Sequence, residues 1–147
     1  MNYFKTYCFL HDDAKFIRKS VFMAEQGFVE EFDDKDAIAK HVVLYHGNNK
    51  PIATCRYFSI DEGNVYFVGR IAVLKEFRKN NYGTAVLREV EQQIDAVGGA
   101  EIRLAAQLQA KGFYEKLGYS AVGEEFLDEN CPHIWMCKKL EGENRNG

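Results

Sequence analysis

The densest chemistry in this chain lies in the run Val73-Leu74-Lys75-Glu76-Phe77-Arg78-Lys79-Asn80-Asn81-Tyr82-Gly83-Thr84. Between Arg70 and Arg88, the cations Arg70, Lys75, Arg78, Lys79 and Arg88 face the single anion Glu76, in a chain whose net charge is −3. The run leads from a β-rich segment into a helical one. Such a junction exposes backbone N–H groups that have no helical partner, at the positive end of the helix dipole. Gly83 lets an anion approach the backbone, and Asn81 tolerates φ > 0 better than most residues. The chemistry on offer is capture of a phosphate or pyrophosphate, although a plain basic loop with a helix-capping glycine would read similarly. Neither G-x-x-x-x-G-K-[ST] nor G-x-G-x-x-G occurs, which excludes a P-loop and a dinucleotide fingerprint.

A second constellation lies downstream, Gln107-Leu108-Gln109-Ala110-Lys111-Gly112-Phe113-Tyr114-Glu115-Lys116-Leu117-Gly118-Tyr119. It offers an amide, a phenol and a glycine stop within one turn-rich stretch. A third is acidic: Glu30-Glu31-Phe32-Asp33-Asp34-Lys35-Asp36 carries five acids and one base. It reads as a solvated loop or as an acidic mouth that draws a cationic ligand, while Arg56 and Arg70 on neighbouring strands could instead receive a carboxylate. His41 and His46 fall on opposite faces of an extended segment and make no metal pair. Cys8, Cys55, Cys131 and Cys137 contain no C-x-x-C and match no zinc spacing, so reduced and mostly buried thiols are expected, and no metal.

These groups need elements to hold them. Asp12-Asp13 can cap a helix over Ala14 to Gln26, with Ile17, Val21 and Ala24 at helical spacing and Gly27 as the stop. An acidic loop spans Phe28 to Lys40. The β-rich runs His41–His46, Ile52–Ile60 and Val65–Leu74 are joined by Gly47-Asn48-Asn49 and Asp61-Glu62-Gly63-Asn64. Links this short predict antiparallel hairpins. A helix is predicted from Tyr82 to Val97, with Val86, Val90, Ile94 and Val97 on one face, ended by Gly98-Gly99. Glu101–Gln107 reads as a strand, Ala110–Leu117 as a short helix, and Tyr119–Phe126 and His133–Lys139 as strands. Strand, helix and strand over Val65–Gln107 make a right-handed crossover with two parallel strands. The expected fold is α/β with a mixed (α+β), mostly antiparallel sheet, helices on both faces and the order β-α-β-β-β-α-β-α-β-β. Ligands of such sheets sit beyond the carboxyl ends of parallel strands, here near Leu74 and Gln107.

With 147 residues, 46% of them apolar and 28% charged, the chain suits one globular domain, expected over 1–141 with a short polar tail at 142–147. Acidic balance argues against a general nucleic-acid binder. No window approaches the roughly 20 apolar residues of a membrane span, and Met1–Phe9 lacks the pattern of a signal peptide. A cytoplasmic protein without nucleic-acid or membrane partners is expected.

The two chemical runs together resemble the GCN5-related N-acetyltransferase (GNAT) family. Its cofactor loop has the pattern [RQ]-x-x-G-x-[GA], matched by Arg78 and Gly83 and imperfectly by Asn81, which stands where the family usually has glycine. Its second pattern, Asn/Gln-x-x-Ala-x-x-Phe-Tyr-x-x-x-Gly-Phe/Tyr, is matched by Gln107, Ala110, Phe113, Tyr114, Gly118 and Tyr119. The resemblance implies acetyl-CoA as co-substrate and direct attack of a primary amine on the thioester. It implies that the backbone of Ile71, Ala72 and Val73 pairs with the pantetheine arm as an added strand. The amides of Arg78, Lys79, Asn80, Asn81, Tyr82, Gly83 and Thr84 would then hold the pyrophosphate, with charge from Arg78 and Lys79. Gln107 would bond a pantetheine amide, and Phe113 would pack on the arm.

Tyr114 would be the general acid that protonates the departing thiolate, a sensible match because phenols titrate near pH ~10 and thiols near ~8.5. No enzyme nucleophile is required, so Cys131 near His133 has no catalytic role. Family members often carry a Glu on the strand before the phosphate loop, but residues 66–71 hold no carboxylate. His133, Glu25 and Glu124 are the candidate bases, with water as the alternative. The acceptor is a small-molecule or peptide amine, and an edge strand offers a surface for a homodimer. A non-catalytic acyl-CoA-binding module, or an interaction domain using the acidic 30–36 loop, are the alternative readings.

Overall fold

The computed structural model describes residues 1–29 and 31–140. Glu30 and the expected tail at 142–147 lie outside the described residues. Strands β1 (Tyr3–Tyr7), β2 (Lys40–Tyr45), β3 (Pro51–Ser59), β4 (Val65–Val73), β5 (Glu101–Gln107), β6 (Ser120–Asp128) and β7 (Cys131–Lys139) form a seven-stranded sheet in the order β1-β2-β3-β4-β5-β7-β6. Helices α1 (Asp12–Arg18), α2 (Tyr82–Ala96) and α3 (Lys111–Lys116) complete the expected element order. Among the described residues, no helix is long and apolar enough to cross a membrane. The chain folds as two compact units: Met1–Phe58 with Arg70–Gln92, and Ser59–Gly69 with Gln93 onward.

In the first unit, β1 and β2 run antiparallel from Tyr3↔Tyr45 to Tyr7↔His41, and β2 and β3 from Lys40↔Tyr57 to Tyr45↔Pro51. Val42, Val43, Leu44 and Tyr45 are all buried, so both faces of β2 are covered. One cover is α1, whose Ala14 and Ile17 pack with Val21, Val43, Tyr45, Ala72 and Leu74. The helix starts at Asp12, earlier than the expected Ala14, because His11 is the cap: its Nδ1 accepts from the Asp13 N–H at 3.0 Å. Asp12 and Asp13 occupy the first turn, where the helix dipole favours acids. From Lys19 to Glu25 the helix widens into a π-helix, which residue spacing cannot reveal, and ends at Gly27 with φ 81°.

The second unit holds the crossover's far end. β4 pairs parallel with β5 over Val65–Phe67, and β5 pairs antiparallel with β7 from Glu101↔Lys139 to Gln107↔His133. Alternation separates two faces here. Ile102, Leu104, Ala106, Ile134 and Met136 are buried, whereas Arg103, Ala105 and Trp135 are exposed. Gly98 (φ 86°) and Gly99 end α2 as expected, and a Cβ on Gly99 would lie 2.4 Å from Ile94 Cγ2, so nothing larger fits. Val97 leaves the apolar stripe and is exposed. Among the described residues the four cysteines form no disulfide, but burial is less than expected: Cys55 is buried, Cys131 and Cys137 half-buried, and Cys8 exposed.

Candidate functional site

The cofactor-loop residues lie in the first unit, between the end of β4 and the start of α2. A single 3-10 turn, Lys75–Phe77, leads to Arg78 in extended conformation. Lys79 (φ 69°) and Asn81 (φ 61°) then take left-handed backbone conformations. The Asn80 side chain braces this double reversal, donating to the Phe77 and Arg78 carbonyls at 3.0 and 3.2 Å. Asn81 therefore reaches φ > 0 with its Cβ in place, as its position requires, and Lys79 does the same without any sequence signal. The α2 ladder opens with Ala85 N–H to the Asn81 carbonyl at 3.0 Å. That leaves the N–H groups of Tyr82, Gly83 and Thr84 in the first turn without helical acceptors.

Arg78 is not a freely swinging cation. Its Nε donates to the Val73 carbonyl at 3.1 Å, and its two terminal nitrogens grip Glu25 at 2.5 and 2.6 Å. The Arg78 hydrogen bonds hold the Glu25 carboxyl below its ordinary range, with Arg78 and Lys75 adding attraction. A carboxylate so stabilised is a weaker proton acceptor, so pairing with Arg78 works against Glu25 as a base.

The acidic segment is only partly solvated: Asp33 and Asp34 are exposed, but other acids of the loop turn inward. Glu31 and Asp36 are buried. Arg18, 1% exposed, donates from Nε to both Glu31 oxygens at 2.9 and 3.0 Å and from its terminal nitrogens to both Asp36 oxygens at 2.8 and 3.0 Å. Arg56 reaches Asp33 at 2.6 Å and Asp36 at 2.8 Å, and Arg70 lies 2.7 Å from Glu31. Arg56 and Arg70, read from the sequence as possible receivers of a ligand carboxylate, are instead paired with carboxylates of this chain. Asp33 and Asp36 cap a 3-10 turn, Asp34–Ala37, by a reciprocal capping box. With three of its acids consumed by arginines, the 30–36 loop offers little to a basic partner, and the interaction-domain reading loses its motivating feature.

Arg70 itself has φ 53°, so the strict alternation expected along β4 stops there. A left-handed residue inside a strand bends it and re-aims the side chains beyond it. Arg18 carried no signal by residue type. Its place beside Ile17, on the face that also bears Ala14 and Val21, was the available clue.

Burial pushes the Asp36 carboxyl up, but hydrogen bonds and charge from Arg18 and Arg56 outweigh it and set it at about 2. The Arg56 hydrogen bond lowers Asp33 as well. For Glu31, burial prevails over Arg18 and Arg70 and raises it. An acid whose folded pKa is depressed stabilises the fold above its unfolded value of 3.8 and loses that contribution as pH falls toward about 2. Asp36 alone accounts for about 2 kcal/mol over that window, with Glu31 opposing in sign. Urea midpoints measured from pH 6 to 2 should therefore fall, and the fall should flatten in Asp36→Asn.

The second unit carries the other motif. Gln107 ends β5, accepts from Gln109 Nε2 at 2.9 Å and stands opposite His133 of β7. The Phe-Tyr-x-x-x-Gly-Tyr pattern has a local physical meaning. Gly118 (φ 97°) comes after α3 in the left-handed conformation, its N–H bonding to Glu115 at 3.1 Å, while the Tyr119 N–H bonds to Tyr114 at 3.1 Å. This is a Schellman cap, and the Tyr119 ring closes it by meeting the Tyr114 ring edge-on at 5.9 Å. Phe113 sets its own edge on Tyr114 at 5.0 Å. The half-buried Tyr114 is thus oriented from both sides.

His133 is 7% exposed, and its Nδ1 lies 2.8 Å from the Cys131 carbonyl. A carbonyl only accepts, so Nδ1 carries a proton, and in the neutral ring the lone pair is on Nε2. Burial pushes the Cys131 thiol up, away from a nucleophilic thiolate. Glu124 is exposed in an irregular stretch of β6, where pairing with β7 shifts between Val122 and Phe126.

Residues 14–140 match the family model described as an acetyltransferase (GNAT) domain. The chain is 36% identical over 129 residues to the uncharacterised N-acetyltransferase YjcF of Bacillus subtilis, covering 86% of this chain and 90% of that one. Its fold superposes on Escherichia coli ElaA with a TM-score of 0.83 at 21% identity, over 94% of this chain and 99% of that one. An aminoglycoside 6′-N-acetyltransferase solved with coenzyme A gives a TM-score of 0.70 at 18% identity, over 93% and 96%. Both motifs, the mixed seven-stranded fold and the matched span agree, and the chain belongs to the GNAT family of acetyltransferases.

Proposed function

We propose that this acyltransferase uses acetyl-CoA to acetylate a primary amine by direct attack on the thioester. The observation that carries the reading is the loop after β4: two left-handed residues, Lys79 and Asn81, lead into a helix whose first-turn N–H groups have no helical acceptors. The coenzyme A bound to the aminoglycoside acetyltransferase supports a CoA thioester as co-substrate. The family match over 14–140 runs through both units and supports reading residues 1–141 as one domain.

In this reading Arg78 to Thr84 hold the pyrophosphate, and the backbone of Ile71, Ala72 and Val73 holds the pantetheine arm as an added strand. Gln107 bonds a pantetheine amide and Phe113 packs beside it. The amine nitrogen forms a bond to the acetyl carbonyl carbon, the C–S bond breaks, and Tyr114 gives its proton to the departing thiolate. The proton lost by the amine goes to His133 Nε2 or to water. His133 fits that role better than Glu25, which is tied to Arg78, or Glu124, which stands in solvent. The acceptor is a small-molecule or peptide amine, and the cytoplasm is the expected compartment.

Calorimetric titration of acetyl-CoA, with ATP and NAD as controls, tests the assignment. Saturable one-site binding is expected for acetyl-CoA, with loss of that binding in Arg78→Ala combined with Gly83→Glu. No heat at millimolar ligand with the wild-type chain would overturn it.

A further inference from the structure

In the second unit, one sheet face is less covered than the other, with Arg103, Ala105 and Trp135 exposed on it. On it lies a groove of about 530 Å³, lined by Phe67, Glu101, Arg103, Val122, Gly123 and Trp135 among others. The rings are ordered. Phe67 meets Trp135 edge-on at 6.1 Å, Phe126 stacks on Trp135 at 6.1 Å, and the same Phe126 stacks on His133 at 5.7 Å. Registers explain the alignment: Ala105, Trp135 and Val122 form one row across the face, and Gln107, His133 and Phe126 form the next. The rows are two residues apart, about 7 Å along a strand. β6 places three residues between Val122 and Phe126 where β7 places one, and Gly123, with φ 78° and open space around its missing Cβ, makes that detour.

The rim is acidic. Glu124 and Glu125 stand exposed in the detour. Glu101 sits beside Arg103, which it holds at 2.6 Å, so that one cation is already neutralised. A wall of rings on which Trp135 is the exposed member, with Glu124 and Glu125 exposed on the neighbouring strand, suits a ligand with a flat apolar body and an ammonium group. The volume falls in the range of small-molecule pockets.

We propose that this groove binds the apolar body of the amine acceptor, and that the acceptor class is a primary amine carried on an aryl or similarly flat group through a short alkyl chain. The proposal rests on the acyl-transfer reading, because it is the row of Gln107 and His133, two residues away, that puts the nitrogen at the reacting end. A body seated on Trp135 leaves about 7 Å to that row, the span of a chain of a few carbons.

Trp135 is the chain's one tryptophan, so its fluorescence reports on the groove directly. The experiment titrates 4-phenylbutylamine, butylamine and spermidine into acetyl-CoA-saturated protein, following Trp135 emission and kcat/KM together. Saturable change with 4-phenylbutylamine is expected, with at least tenfold preference over butylamine in affinity and in kcat/KM. Val122→Arg, at a residue 49% exposed on an edge strand, should erase the preference while leaving acetyl-CoA affinity unchanged.

Equal response to all three amines, or preference for spermidine, overturns the aryl assignment. So does a wild-type dimer in sedimentation that Val122→Arg dissociates, since the groove would then be an interface between copies. If acetyl-CoA fails to bind in calorimetry, the acyl-transfer reading falls first. If it binds and Trp135 ignores 4-phenylbutylamine, the groove assignment alone falls.

Discussion

Arg18→Leu should cost about 3–5 kcal/mol of stability, read as a shift in urea midpoint at unchanged m-value. Arg18 is 1% exposed and supplies hydrogen bonds to both oxygens of Glu31 and of Asp36, with a further 3.3 Å contact to the Glu31 carbonyl. Its guanidinium also lies over the Phe32 ring at 4.9 Å. Leucine fills part of the volume but leaves two buried carboxylates, each with one arginine where there were two. The remaining partners, Arg56 for Asp36 and Arg70 for Glu31, keep the loss from growing larger. Arg18→Lys should fall between, because an ammonium keeps the charge but cannot fork toward two carboxylates. A change below 1 kcal/mol in Arg18→Leu would mean that water replaces the guanidinium, contrary to its burial.

The second large effect is kinetic. Tyr114→Phe should lower kcat by about 10²–10⁴-fold, the usual worth of a positioned general acid, while acetyl-CoA affinity stays within about twofold. The separation comes from the cap. The Tyr119 N–H bonds to the Tyr114 carbonyl, and the rings meet edge-on, so phenylalanine keeps the helix end and loses the hydroxyl alone. A purely structural hydroxyl would show the opposite split, with stability down by about 1 kcal/mol and kcat unmoved. A kcat within threefold of wild type assigns the proton to water. Gly118→Ala is the complementary perturbation. It strains a left-handed position and should lower stability and kcat together by displacing Tyr114, whereas Tyr114→Phe should move kcat alone.

Much of this architecture was legible in one dimension because it rests on local rules. Alternation placed β5 at Glu101–Gln107, and the period of Val86, Val90 and Ile94 placed α2. Short polar links fixed the β2–β3 hairpin, where Asn49 takes φ 66° as turn residues do. The two chemical motifs were legible for the same reason. A left-handed Asn81 before a helix and a Gly118–Tyr119 cap after one are backbone conformations written into residue type.

What residue types could not specify is who neutralises whom. Five acids in seven residues read as a solvated loop because, along the chain, nothing lies near them to compensate. In space Arg18, Arg56 and Arg70 arrive from a helix and two strands and draw Glu31, Asp33 and Asp36 against the protein. The same applies to Glu25 and Arg78, separated by 53 positions and joined by two hydrogen bonds. Electrostatic partners act through distance and dielectric, which sequence separation does not encode. The open aromatic face around Trp135 is likewise a matter of register. Alternation makes one strand face apolar and the other mixed, but only pairing in the order β5-β7-β6 sets Trp135 beside Val122 and His133 beside Gln107. By itself, then, the sequence determined the elements, their order and the two motifs, because backbone preference and periodicity are local. Tertiary structure decided the charge pairing, the tautomer of His133 and the face on which a ligand can rest, because each depends on atoms brought together from distant segments.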